Sequence, residues 1–206
     1  MKNNPLFDFE KSVQAVNYFA KNTNNKLQNK LLIVKLMWAA DRYHLRKYGR
    51  PVTGDTYFAM KNGPVASCVL NILDQDKTDQ NIATPRNLVY LTKYLGKIDK
   101  NKIGSAVDPD MDQFSETDVE ALEFAMKHFG ERKSIVDLTH KYPEWKKYEK
   151  ALGPSRKCAK MNYLDFFEDP SPVDVPNDPF QIDEALKKYA KEDFKDYLST
   201  YQALYS

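Results

Sequence analysis

The chain has 206 residues, 42% of them apolar and 13% aromatic, which excludes a disordered polypeptide and makes one folded domain with a sizeable core the expectation. Its 31 basic and 29 acidic side chains leave a formal net charge of +2, so the molecule as a whole has no strong attraction for nucleic acid or an anionic membrane, and a role at either would need a local patch. The opening MKNNPLFDFEKS lacks an apolar signal region, and the longest apolar run, around residues 31–40, is interrupted by Lys35 and too short to span a bilayer; a cytoplasmic location without membrane attachment is expected.

In chain order, helix signals dominate. Asp8 can cap a helix with Phe9, Val13, Val16 and Ala20 on one face, ended by the break at residues 22–25. A second helix is expected from Leu27 to Tyr48. Its middle, LLIVKLMWAA, is apolar nearly all round, which places it at the centre of the core. Beyond Ala40 it turns polar with DRYHLRK. This predicts that it emerges from the core with Asp41, Tyr43, His44 and Lys47 grouped at three- and four-residue spacings. Glycine and proline then punctuate a short ribbon over residues 49–62.

Pro64 suits the first turn of a third helix, buried through Val65, Val69, Ile72 and Leu73. Residues 74–87 read as a polar loop. VYLTKYL reads as either helix or strand, and the segment after it as a hairpin turning around Asp99 to Asn101. Ser115 and Asp118 form a capping box for a helix ending at Gly130. Ser134 starts a shorter helix that stops before Pro143, and Trp145 lies in a further helical segment. Residues 165–184 carry seven acidic residues, four prolines and no Lys or Arg, which predicts a semi-rigid surface connection. Asp178, with Pro179 and Gln181 after it, predicts the start of a last helix whose stripe is Ile182, Leu186, Tyr189, Tyr197, Tyr201 and Leu204. The expected fold is mainly α: a single compact helical domain around a central buried helix, with a small β-hairpin or ribbon.

Catalytic chemistry is hard to assemble from these residues. His44, His128 and His140 are the only histidines and form no HxH, HxxxH or HExxH pattern, so neither a metal nor a cofactor is expected. Asp41 and His44 at i,i+3 have the spacing to orient an imidazole for acid–base work, but a hydrogen bond shaping the helix end is the favoured reading. Cys68 and Cys158 lie far apart without companion ligands and read as reduced structural thiols, Cys68 as a core cysteine. Gly63-Pro64 matches no phosphate-loop pattern. Trp145 is either a core or an interface anchor.

Residues 41–65, DRYHLRKYGRPVTGDTYFAMKNGPV, carry a resemblance. Asp41 and His44 on a helix lead into Gly49-Arg50-Pro51-Val52, then Tyr57 or Phe58 with Ala59, then Gly63-Pro64-Val65. Later, Ser115-Glu116-Thr117-Asp118, Ala121-Leu122, Gly130, Leu138-Thr139-His140 and Pro143 with Trp145 follow in order. This pattern resembles the Panacea, or SocA-like, antitoxin domain family over roughly residues 10–150. The resemblance implies a domain over residues 1–160, followed by an extension over 161–206. It further implies an antitoxin that neutralises a toxin encoded beside it, by direct contact or, in SocA-like cases, as an adaptor delivering the toxin to a protease. Such domains are common in phages and prophages, and the family carries no active-site residues across.

An antitoxin or adaptor is therefore expected first, and a transcriptional regulator or other phage-encoded interaction protein second. For a regulator, however, the segment after Pro64 carries no Arg or Lys between Val65 and Gln75. A hydrolase built on Asp41 and His44 comes third. Neither nucleic acid nor membrane is an expected partner. The expected partner-binding surface comprises Asp41, His44, Arg46, Lys47, Tyr57 and Lys61, with Trp145 beside it.

Overall fold

The computed structural model describes residues 6–22, 28–75, 82–97, 99–132 and 134–205. Asp8 accepts the Lys11 backbone N–H at 3.0 Å and starts helix α1 (Phe9–Asn22), which buries Val13, Val16 and Ala20. The expected break after it and the expected helix start at Leu27 fall on residues 23–27, outside those described. Strand β1 (Gln28–Asn29) precedes helix α2 (Lys30–Tyr48), and Asn29 caps α2 by accepting the Leu31 N–H at 2.9 Å. Ile33, Leu36, Met37, Trp38, Ala39 and Ala40 are fully buried, so α2 forms the centre of the core. Each large side chain buried there contributes about 1.5–3 kcal/mol before entropy is subtracted. Gly49 ends the helix in the left-handed region at φ 68°, its N–H bonded to the Leu45 carbonyl.

A hairpin follows, β2 (Tyr57–Met60) with β3 (Gly63–Ala66). Its turn needs Gly63: φ is +94°, and a Cβ there would sit 2.3 Å from Thr139 Oγ1. Pro64 lies inside β3 opposite Ala59, which corrects the expectation that it opens a helix. Strand β3 is the outer strand of its sheet, where a missing N–H costs no ladder bond. Helix α3 (Ser67–Asp74) starts later, on the buried Asp55 carboxylate, which accepts the N–H groups of Cys68 at 3.0 Å and Val69 at 2.8 Å.

The expected polar loop over 74–87 lies partly outside the described residues and ends at Thr84, the cap of helix α4 (Pro85–Tyr94). The ambiguous VYLTKYL is therefore mostly helix, with Leu91 and Tyr94 buried. The hairpin forms beyond it, from β4 (Leu95–Lys97) and β5 (Lys102–Ser105). Helix α5 (Glu116–Phe129) carries the predicted Ser115–Asp118 capping box and packs along α2. Short helices α6 (Ile135–Thr139) and α7 (Pro143–Lys146) and strand β6 (Cys158–Lys160) complete the segment. Two three-stranded antiparallel sheets result, ordered β3-β2-β6 and β1-β5-β4, and the fold is mainly helical.

The last helix, α8 (Glu184–Tyr205), begins five residues beyond the expected Pro179. Asp183 caps it by accepting the N–H groups of Ala185 and Leu186 at 3.0 and 3.1 Å. Asp178 instead turns the chain at Phe180 and accepts the Tyr142 hydroxyl at 2.8 Å, because Phe180 must enter the core. The expected stripe is also corrected. Leu186, Tyr189 and Tyr197 are exposed, and α8 docks through Ala190 and Phe194; the side chains of Tyr201 and Leu204 lie outside those described. Close approach selects this face: the Ala190 carbonyl lies 2.9 Å from where a Gly49 Cβ would be. Met161, Phe166, Phe167, Phe180 and Phe194 join the same hydrophobic cluster as α2.

Candidate functional site: a buried polar latch and an apolar groove

Most of the charged end of α2 does not reach solvent. Asp41, Arg42, His44 and Arg46 are all 0% exposed. The Asp41 carboxylate accepts the N–H groups of Val52 at 2.8 Å and Thr53 at 3.0 Å, the Thr53 hydroxyl at 2.7 Å and the Tyr57 hydroxyl at 2.8 Å. It thereby ties the ribbon after α2 back onto the helix. Burial pushes its pKa up, against the pull of these hydrogen bonds.

His44 does not pair with Asp41, contrary to the i,i+3 expectation. Its Nδ1 lies 2.6 Å from the Arg50 carbonyl, which only accepts, so Nδ1 carries the proton and Nε2 accepts from Thr117 Oγ1 at 3.0 Å. Burial lowers its pKa to about 4, so the ring is neutral and engaged on both sides. Neither residue meets solvent.

Arg42 and Arg46 are covered by chain that lies more than a hundred residues away in sequence. Arg42 pairs with Glu144 at 2.6 Å, and Glu144 also accepts the Trp38 indole N–H at 3.0 Å. Arg46 donates to the carbonyls of Phe166, Glu168 and Phe180 and pairs with Asp169. The acidic connection is thus a cover for its own domain. Asp165 pairs with Lys147, Glu168 with Lys191, Asp174 with Lys146, and Glu184 with Lys187.

The expected interaction surface is corrected accordingly. Asp41, His44, Arg46 and Tyr57 are buried structural residues. Lys47 is half-buried and, with Tyr43 and Tyr48, holds Glu120. Lys61 is exposed. Trp145 is 4% exposed, donates its indole N–H to the Met60 carbonyl at 2.9 Å and stacks on His140 with centroids 3.8 Å apart.

Lys61 and Trp145 do meet, at a groove of about 980 Å³. Val34, Met60, Val65 and Leu70 form its floor, and Leu31 and Leu152 flank it. Lys100, Arg156 and Lys157 join Lys61 at the rim. Sequence periodicity missed these residues. The available signals were a helix apolar on every side, which leaves Leu31 37% exposed, and the adjacent Arg156 and Lys157 after the Gly153-Pro154 turn. Both cysteines are free, Cys68 buried and Cys158 exposed. Among the described residues no group of three His, Cys, Asp or Glu is placed to hold a metal ion, and no helix is long and apolar enough to cross a membrane.

A family model described as antitoxin SocA-like, Panacea domain, matches residues 33–146. That span covers more than half of the chain, and the chain belongs to this family. It runs from the core of α2 through the latch and the hairpin to Trp145. No curated protein and no solved structure matches the chain.

Proposed function

We propose that the chain is an antitoxin of a toxin–antitoxin system, acting in the cytoplasm by holding a cognate toxin in a protein–protein complex and not by catalysis. Membership of the antitoxin family supports the class. The observation that carries the mode of action is a division of labour in the fold. The ionisable residues Asp41, Arg42, His44, Arg46 and Glu144 of the matched span are buried in internal bonds, while an apolar groove, lined partly by that span and partly by residues 149–157 beyond it, faces solvent with a cationic rim. Buried, mutually bonded groups build a scaffold; an open apolar groove offers area to a partner.

The test is co-expression with the reading frame adjacent to the gene. Growth arrest by the neighbour's product, relieved by this chain and accompanied by a complex that co-purifies, is the expected outcome. Relief accompanied by protease-dependent loss of the toxin would select delivery to a protease over direct neutralisation. An absence of any relief would reject the antitoxin reading.

A further inference from the structure

The antitoxin reading does not say which surface holds the toxin or what chemistry that surface recognises. The groove between α2, the β2–β3 hairpin and the segment after α7 has features that answer both. At about 980 Å³ and open to solvent, it stands at the upper end of small-ligand pockets, about 300–1,000 Å³, and admits a length of polypeptide. Its floor is aliphatic, from Val34, Met60, Val65 and Leu70. Trp145 stiffens one wall, held by its hydrogen bond to Met60 and its stacking on His140. A rigid, apolar, concave surface of this kind is where binding energy concentrates at protein interfaces.

The rim carries predominantly one sign of charge. Lys61, Lys100 and Lys157 have no ion-pair partner among the described residues, and the Arg156 guanidinium donates to the Cys158 carbonyl at 3.4 Å with no carboxylate partner among them. Lys30 is already satisfied by Asp74 at 2.9 Å, which leaves Glu149 as the acidic group facing the four cations. An occupant must therefore supply negative charge at the edges and apolar side chains in the middle. A phosphate backbone supplies the first and not the second. Stacking of bases needs an open aromatic face, and Trp145 is 4% exposed. The chain's own acidic segment does not compete, since Asp165, Glu168, Asp169 and Asp174 are already paired with Lys147, Lys191, Arg46 with Lys187, and Lys146, none of which lines the groove.

We infer that this groove is the docking site for an acidic amphipathic segment of the protein partner, apolar side chains on the floor and carboxylates against Lys61, Lys100, Arg156 and Lys157. The inference rests on the antitoxin reading for the identity of that partner, and on the groove for its chemistry. Rim charges act mainly on association rate and salt dependence, and floor contacts on dissociation.

The full chain is titrated with three purified probes: the toxin encoded beside it, an acidic amphipathic peptide of Glu and Leu at helical spacing, and a dT20 oligonucleotide. The triple variant Lys61→Glu, Lys100→Glu, Lys157→Glu is expected to bind toxin and peptide at least about tenfold more weakly, with a flatter salt dependence. Leu152→Asp at the half-buried flank is expected to do the same at any salt. Lys127→Glu with Lys188→Glu, both far from the groove in sequence and exposed, should stay within about twofold, and melting curves of all variants check that each is folded. Toxin binding that survives the rim and flank variants places the contact elsewhere and overturns the inference while the antitoxin reading stands. Tighter binding of dT20 than of the peptide through the same lysines also overturns it, in favour of nucleic acid. A toxin that fails to bind the parent protein rejects the antitoxin reading; peptide binding lost with the rim would still support the groove's chemistry.

Discussion

Replacing Asp41 by alanine removes the acceptor for four donors at once: the N–H groups of Val52 and Thr53 and the hydroxyls of Thr53 and Tyr57. None of these residues is more than 3% exposed, so water cannot take over. An orphaned buried donor costs about 1–3 kcal/mol, and the losses are not additive because one relaxation serves several donors. Relief of the carboxylate's own desolvation, visible in its raised pKa, offsets part of the loss. A net destabilisation of about 3–5 kcal/mol is expected for Asp41→Ala, a large share of the ~5–15 kcal/mol available to a domain. Asp41→Asn keeps an oxygen for the two backbone N–H groups and forces the hydroxyls to reverse, at about 1–2 kcal/mol. For a chain of this length each kcal/mol moves the melting point by about 2–4 °C. Urea titration with a shifted midpoint and an unchanged slope is the assay. Because Asp41 lies beneath the surface, the Asn variant should bind toxin as the parent does at temperatures where it is folded. An Ala variant melting within a degree or two of the parent, or a stable Asn variant that has lost tenfold in binding, would refute the latch.

Other perturbations address the tail and the buried base under the hairpin. Phe194→Ala empties a fully buried position between Tyr163 and Phe167 and should cost about 3–5 kcal/mol, read as a lower melting temperature with dye binding to exposed apolar surface. Lys35 is buried with its ammonium on the Pro64 carbonyl at 2.8 Å, and burial lowers its pKa to about 7. Its folded-state pKa lies below the unfolded value near 10.5, so the folded state gives up the proton first. The cost of charge burial is complete below pH 7 and is relieved as pH rises towards 10. Stability relative to Lys35→Met should therefore rise between pH 7 and 10, and a difference independent of pH would reject a buried, titrating amine.

Much of the fold was legible because it is decided locally. The Asp8 cap, the Ser115–Asp118 box and the left-handed Gly49 depend on a few neighbouring residues whose side-chain chemistry has one good local use. The all-round apolar middle of α2 likewise announced its burial, since only a helix wrapped on every side can be apolar on every side. The fate of DRYHLRK was not legible. Charged residues after an apolar run read as solvent-facing, and here they are buried because partners at Glu144 and Asp169 and carbonyls at residues 166–180 arrive from distant chain. Pro64 misled for a related reason: its rigid φ serves a helix start and an outer strand equally, and only the pairing of Ala59 with Pro64 distinguishes them. The buried face of α8 was set by how closely Ala190 can approach Gly49, a steric matter invisible to periodicity. The groove was the least legible of all. Val34, Lys61, Trp145 and Lys157 are contributed by separate segments, and a concave surface exists only once the hairpin, α2 and the chain after α7 have been packed together.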